Sequence, residues 1–365
     1  MFKAVGKLFV LGLAFVVTLV MAAAAWVYFT TYHPDTIQPE PIVKIVGSPS
    51  LQPGQQLKIL SWNVQFMAGN QDNYFFFDGG ADPWPSLERV NAVTRQVAGF
   101  IRSENPDVIL LQELDEGSAR TYFQDQLLEL LALLPNDYVA HTSSYYWKAD
   151  FVPHPEMLGA IGMKLSIISK YKIENATRYA LSEITNQDIL ERQFNAKRAV
   201  LGVELPIAGG GKLNVLNTHL SAFAQHTDTM ERQVSQVSEL LSGFVTRGEQ
   251  ALMGGDFNLV PSMSAYRRLS DRNKEYYNPL ETELAPLLAR FPAVPSLGEA
   301  DGPDPAKWYT HMGNHNHSKV ADKTIDYIFF TEGLTLGDHY VRSAGVESIS
   351  DHLPVVAYFT VPPEL

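Results

Sequence analysis

The sequence has no cysteine among its 365 residues, which excludes disulfides, thiolate zinc sites, iron–sulfur clusters and a cysteine nucleophile. The absence leaves the compartment open, because an oxidising environment permits disulfides without requiring them. Positive charge is also scarce, with 28 Lys and Arg against 40 Asp and Glu and a net charge of −12. A protein that holds nucleic acid by broad phosphate neutralisation needs the opposite balance, so that class is disfavoured. Internal repeats and low-complexity tracts are lacking, and the 25 Gly and 22 Pro follow no period, which excludes a collagen-like fibre. What the chain does have is 45% apolar and 11% aromatic residues, enough to exclude intrinsic disorder and to bury a full core. Its length allows one large domain or two small ones.

From Leu8 to Phe29 no residue is charged; Lys3 and Lys7 precede the run, and Trp26, Tyr28 and Phe29 close it. About 20 apolar residues cross a bilayer, with lysines favouring the cytoplasmic side and Trp and Tyr the interface. Residues 1–30 are therefore expected to be a transmembrane anchor, with a cytoplasmic N-terminus and the bulk of the chain periplasmic or extracellular. A cleaved signal peptide, using the small residues Ala22 to Ala25, is the competing reading and would release a secreted domain. A buried core helix fits poorly, since the run is apolar on every face. Residues 31–56 carry His33-Pro34, Gln38-Pro39, Glu40-Pro41 and Gln52-Pro53-Gly54, the composition of a polar linker, so the domain is expected to occupy residues 57–365.

Short runs rich in Val, Ile and Leu recur at 58–64, 107–112, 161–169, 199–205, 213–217, 251–254, 324–330 and 354–359, and read as strands. Helical stripes lie between them. Val90, Val93, Val97, Phe100 and Ile101 follow Ser86, an N-cap; a second stripe runs from Tyr122 to Leu134, and a third from Met230 to Phe244. The alternation predicts α/β layers. Successive runs at 161–169, 199–205 and 213–217 with no helix between them predict antiparallel pairing, so a mixed sandwich fits better than a parallel doubly wound sheet.

Polar residues sit at the ends of these runs. Asn63 ends one, Gln112-Glu113 another, and His219 a third; Asp256 and Asn258 follow Gly254-Gly255, Asp326 lies within Ile325–Ile328, and Asp351-His352 precedes the last strand. Taken singly, Asp256-Phe257-Asn258 is equally a turn, Glu113 a loop acid and His219 a satisfied buried imidazole. Asp326 is harder to dismiss, because a carboxylate among Ile325, Tyr327 and Ile328 needs a partner to be buried. Strand ends on a rigid scaffold are where catalytic groups collect, and six such groups point to convergence.

The ordered set Trp62-Asn63, Gln112-Glu113, Asn217-Thr218-His219-Leu220, Gly255-Asp256-Phe257-Asn258, Ile325-Asp326-Tyr327-Ile328 and Ser350-Asp351-His352-Leu353-Pro354 resembles the endonuclease/exonuclease/phosphatase superfamily. That group includes deoxyribonuclease I-like nucleases, abasic-site endonucleases, inositol polyphosphate phosphatases and neutral sphingomyelinases. The resemblance implies a four-layer α/β sandwich, with two packed mixed β-sheets flanked by helices, and a divalent-metal-dependent hydrolase that cleaves phosphoester bonds, phosphodiesters in the first instance, with activated water. It also implies roles for the matching residues. Oxygen ligands suit Mg²⁺, with Mn²⁺ the alternative; Glu113 is the principal expected ligand, with Asn63 and Asp351 completing the shell. His352 is the expected general base, with Asp326 fixing its tautomer; His219, with Asn258 beside it, would donate to phosphoryl oxygens, and Asp256 would position the water or serve the leaving group. Abasic-site endonucleases carry an acid where this chain has Gln65, which lowers that reading.

Several features bear on the substrate. The aromatics Tyr74, Phe75, Phe76 and Phe77 read either as a substrate- or membrane-contacting loop or as a loop folded across its own domain, and Tyr145-Tyr146-Trp147 reads the same two ways. Lys197-Arg198 reads as a phosphate contact or as edge protection. His311, His315 and His317 read as donors to a headgroup before a zinc site. The anchor, the acidic domain and the aromatics favour a lipid headgroup as substrate, with an exported nuclease as the alternative and a catalytically silent, membrane-stalked binding module a third class.

Overall fold

A computed structural model describes residues 2–70, 84–222, 224–313 and 320–362. The aromatic run Tyr74–Phe77 and the histidines His315 and His317 lie outside the described residues. Helix α1 (Phe2–Thr30) is long and apolar enough to cross a membrane, and none of its apolar span is buried against the rest of the protein.

Fourteen strands among the described residues form two seven-stranded sheets. In chain order they are β1 (Ile37–Pro39), β2 (Ile42–Lys44), β3 (Gln56–Asn63), β4 (Val108–Asp115), β5 (Ala140–Val152), β6 (Gly159–Ser169) and β7 (Asn175–Ala180), followed by β8 (Ala199–Pro206), β9 (Lys212–His219), β10 (Gln250–Asp256), β11 (Ala293–Val294), β12 (Asp326–Phe330), β13 (Thr335–Val341) and β14 (Val355–Thr360). Sheet I has the order β13-β14-β3-β4-β6-β5-β2, and sheet II the order β1-β7-β8-β9-β10-β12-β11. Among the described strands, only β3/β4 and β9/β10 are parallel pairs. A parallel pair needs a crossover, supplied by α2 (Leu87–Glu104) and α5 (Thr229–Thr246) respectively.

Alternation along the central strands builds the layers. Leu110 faces sheet II while Ile109 and Leu111 face α2; Leu252 faces sheet I while Ala251 and Met253 face α5. The result is helix, sheet, sheet, helix, the α/β sandwich that the motif order implies. Ser86 caps α2 as expected, its hydroxyl accepting from the Arg89 N–H.

Three expectations are corrected. The 31–56 stretch is not a free linker: β1 pairs with β7 and β2 with β5, so it adds an edge strand to each sheet, and Leu51 is fully buried. Its prolines are tolerated because edge strands have one unpaired side. The second helical stripe shortens to α3 (Gln126–Leu131), because Asp125 accepts from the Leu127 and Leu128 N–H groups and starts the helix there, leaving Tyr122 and Phe123 exposed with left-handed backbone. The run at 161–169 does not pair with 199–205; it lies in sheet I, while β8 and β9 pair antiparallel in sheet II.

The two sheets pack closely where β10 crosses β3 and β4. A Cβ on Gly254 would lie 2.6 Å from Leu110 Cδ1 and 3.0 Å from the Ser61 side chain, both in sheet I. Gly254→Val is expected to destabilise the domain by ~1–3 kcal/mol through overpacking, read as a lowered unfolding midpoint of the full chain in mild detergent. A change within about 0.5 kcal/mol, typical of a surface position, would contradict this packing.

Candidate active site

The register of the strands places the polar groups side by side at their ends. Asp256 on β10 pairs with His219 on β9 and with Asp326 on β12, while Asn63 on β3 pairs with Gln112 on β4. The C-terminal ends of both parallel pairs thus meet, the position at which α/β sheets collect ligand-binding groups. Glu113 takes a left-handed backbone, φ 61°, where the β4/β6 register slips between Leu111 and Leu114. A bulge of this kind re-aims a side chain, and here it turns Glu113 to the Asn63 amide, Nδ2 to Oε1 at 3.1 Å.

His352 stands at the centre. Its Nδ1 contacts both Asp326 oxygens, at 2.9 and 3.1 Å, and its Nε2 lies 3.5 Å from Asp256 Oδ2. The backbone is held as well, since the His352 carbonyl accepts from Trp62 Nε1 at 2.8 Å and its N–H donates to Ser350 Oγ. Burial disfavours the imidazolium, but Asp326, Asp256 and Asp351 outweigh it and raise the His352 pKa to about 10. Asp256 is pushed up to about 7 by burial, with Asp326 and Glu113 adding to the rise and His352 opposing it.

His219 behaves in the opposite way. Burial, followed by the charges of Arg198 and His352, holds its pKa well below the usual histidine range, so it is neutral. Burial and the Glu113 charge keep the Tyr146 phenol protonated, 3.3 Å from His219 Nδ1. With the phenol O–H donating to Nδ1, the imidazole proton sits on Nε2, facing Asp256 Oδ2 at 3.3 Å.

All eight expected residues converge, although two stand differently from expectation. Asn63 presents Nδ2 to Glu113 and Asp256 while its Oδ1 accepts from the Gln65 N–H, so as placed it orients carboxylates; to ligate a cation its amide must turn. Asn258 donates its amide to the Leu220 carbonyl, and its N–H donates to Asp256 Oδ1, so the turn and the site coexist. Asp351 forms a possible ligand cluster with His311 and His352, and Asp256, Asp326 and His352 form another. All of these but Asp326 line a cavity of about 330 Å³ whose wall also includes Tyr146, Trp147, Arg198 and Met163. Tyr146, Arg198 and His311 stood out in the sequence only within aromatic, basic and histidine groups.

The Endonuclease/Exonuclease/phosphatase family profile matches residues 60–352. The chain belongs to that family. Its members are divalent-metal-dependent hydrolases of phosphoester bonds. A probable CCR4-Not complex 3'-5'-exoribonuclease subunit Ccr4 from Encephalitozoon cuniculi is 26% identical over 191 residues, which is 49% of this chain and 38% of that protein. The chain thus spans well under half the length of that curated relative. Among solved structures, an endonuclease/exonuclease/phosphatase from Beutenbergia cavernae superposes with a TM-score of 0.55 at 21% identity, covering 84% of this chain and 72% of the other. The catalytic domain of human Nocturnin with bound sulfate gives 0.53 at 16% identity, covering 88% and 98%. At these identities the likeness is one of fold.

The residues fit a divalent cation. Glu113, Asp256 and Asp351 offer hard oxygens in a largely buried site, and the pKa of Asp256 is raised first by burial and then by the Asp326 and Glu113 charges, a penalty on the carboxylate that a cation would relieve. In the metal-free protein, Asp326→Asn removes the largest influence raising the His352 pKa, so that pKa should fall from about 10. Imidazole NMR titration in EDTA measures this, and an unchanged midpoint would contradict the pairing.

Proposed function

We propose that the protein is a membrane-tethered, extracytoplasmic, Mg²⁺-dependent phosphodiesterase whose favoured substrate is a lipid headgroup. The observation that carries the catalytic part is His352 clamped by Asp326 in a cavity with Glu113, Asp256 and Asp351. The cation would be held by Glu113 and Asp351, with Asn63 after its amide turns. Bound there, it supplies charge neutralisation and polarisation of a phosphoryl oxygen.

The chain's own residues do the rest. A cation held there would lower the His352 pKa from about 10, and His352 Nε2, once deprotonated, is placed to accept a proton from water. Asp326 holds Nδ1–H and stabilises the imidazolium that forms. The water oxygen then attacks phosphorus, and the bond to the leaving oxygen breaks. Asp256, once ionised, accepts from His219 Nε2–H and from the water, which orients both. Arg198, on the cavity wall, would provide a donor to a phosphoryl oxygen. The lipid preference is supported by α1 and by apolar groups in the cavity wall, including Trp147, Met163 and Ile184. A nuclease is the second reading, favoured by the likeness to the Ccr4 exoribonuclease subunit.

Full-length protein in detergent, assayed with Mg²⁺ on phospholipids, sphingomyelin, single-stranded RNA and plasmid DNA, separates these readings. The expected result is hydrolysis of a lipid headgroup that is abolished by EDTA, with His352→Ala lowering kcat by about 10²–10⁴. Turnover of nucleic acid alone would overturn the lipid preference, and activity that persists in EDTA would overturn the metal dependence.

A further inference from the structure

A second cavity, of about 350 Å³, opens where α1 meets the domain. Tyr32 and His33, two and three residues beyond α1, form one wall. Thr31 bridges to Ala149 on β5 and its hydroxyl reaches the Gln193 side chain at 3.5 Å, while Tyr28 stacks on His33 with ring centroids 4.4 Å apart. The cavity is therefore fixed to the end of the apolar helix by contacts from both sides.

Its chemistry is cationic. Arg178, Arg192, Lys197 and Arg198 line it, against one acid, Glu183, in a chain whose net charge is −12. Arg178 is buried and pinned by donating to the carbonyls of Tyr145, Asp35 and Lys197 at 3.2, 3.4 and 2.6 Å. Lys197 donates to the Arg192 carbonyl at 2.6 Å and pairs with Glu183 at 3.0 Å. Arg192 lies exposed on the short helix α4 (Ile189–Phe194), whose Ile189 and Leu190 are 75% and 64% exposed. Exposed apolar side chains beside basic ones are the arrangement that settles at a bilayer surface, with the cations at headgroup level. Arg198 lines both cavities, donating to the His219 carbonyl at 3.4 Å, so the cationic cavity and the catalytic one adjoin.

We propose that this cavity binds the phosphate headgroup of an anionic membrane lipid and seats the catalytic mouth on the bilayer. The inference rests on the reading of α1 as a membrane anchor. Bound there, the lipid holds α4 against the surface, and a substrate headgroup reaches His352 without leaving the membrane plane.

The test uses the full chain in mild detergent and native mass spectrometry, with dihexanoyl phosphatidylglycerol, dihexanoyl phosphatidylcholine and inorganic phosphate as probes. Phosphatidylglycerol is expected to bind at least about tenfold more tightly than phosphatidylcholine. Arg192→Glu, and independently Lys197→Gln, should weaken it at least about fivefold, with unfolding midpoints showing that each variant is folded. Glu113→Ala should leave this binding unchanged. Equal binding of the two lipids, indifference to both charge variants, or loss in Glu113→Ala would overturn the proposal. Displacement of the lipid by inorganic phosphate at equal concentration would make this a soluble-anion site and overturn it too. Carbonate washing of membranes tests the anchor separately. A chain that washes off yet keeps its phosphatidylglycerol preference refutes the anchor and supports the lipid site; a chain that stays without that preference refutes the lipid site alone.

Discussion

Carboxylates gathered between two packed sheets, with too little positive charge around them, are the constraint on which the rest of the structure depends. Asp256 and Asp326 are buried, Asp351 nearly so, and Glu113 faces the same space. Buried charges of one sign cost several kcal/mol unless paired. The protein answers with His352, held protonated by three of these acids, with Asn63 donating to two carboxylates, and with Arg198 at the cavity wall. The remaining negative charge is what a divalent cation would balance, and the same cation would bring His352 toward the protonation state that catalysis needs.

Much of the scaffold exists to hold those acids in place. The parallel pairs β3/β4 and β9/β10 deliver Asn63, Gln112, His219 and Asp256 at matched heights, and the antiparallel partner β12 adds Asp326 in register with Asp256. Close approach of the sheets depends on Gly254, and at Gly255 a Cβ would fall 2.1 Å from the Thr218 carbonyl. Two adjacent glycines just before Asp256 thus bring sheet against sheet and strand against strand. The bulge at Glu113 then turns its carboxylate to the Asn63 amide.

The central strands, the two crossover helices and the eight candidate residues that the fold brings together were legible because each sits in a strong local signal: an apolar run ended by a polar side chain, or a stripe at helical spacing. Weak signals misled. Ile37–Pro39 and Ile42–Lys44 read as linker because edge strands are short, half-exposed and tolerant of proline; only pairing to β7 and β5 makes them strands. Tyr122 and Phe123 look like helix positions, but the Asp125 cap starts α3 beyond them. Tyr146 is invisible as a site residue in Tyr145-Tyr146-Trp147, since it sits where the β5/β6 register slips between Tyr145 and Trp147 and only the folded sheet brings its hydroxyl to His219. Proton positions were not legible at all: His219 and His352 are both histidines at strand ends, yet burial with nearby cations keeps one neutral and three carboxylates keep the other charged.

The most direct measurement of the central claim is calorimetric titration of Mg²⁺ into EDTA-stripped full-length protein at pH 7, in two buffers of different ionisation enthalpy. Relief of the carboxylate charge lowers the pKa of both Asp256 and His352, so binding should release protons and the apparent enthalpy should differ between buffers in proportion. Asp256→Asn should reduce that release. Mg²⁺ binding with no proton release, or no binding at all, would contradict the account.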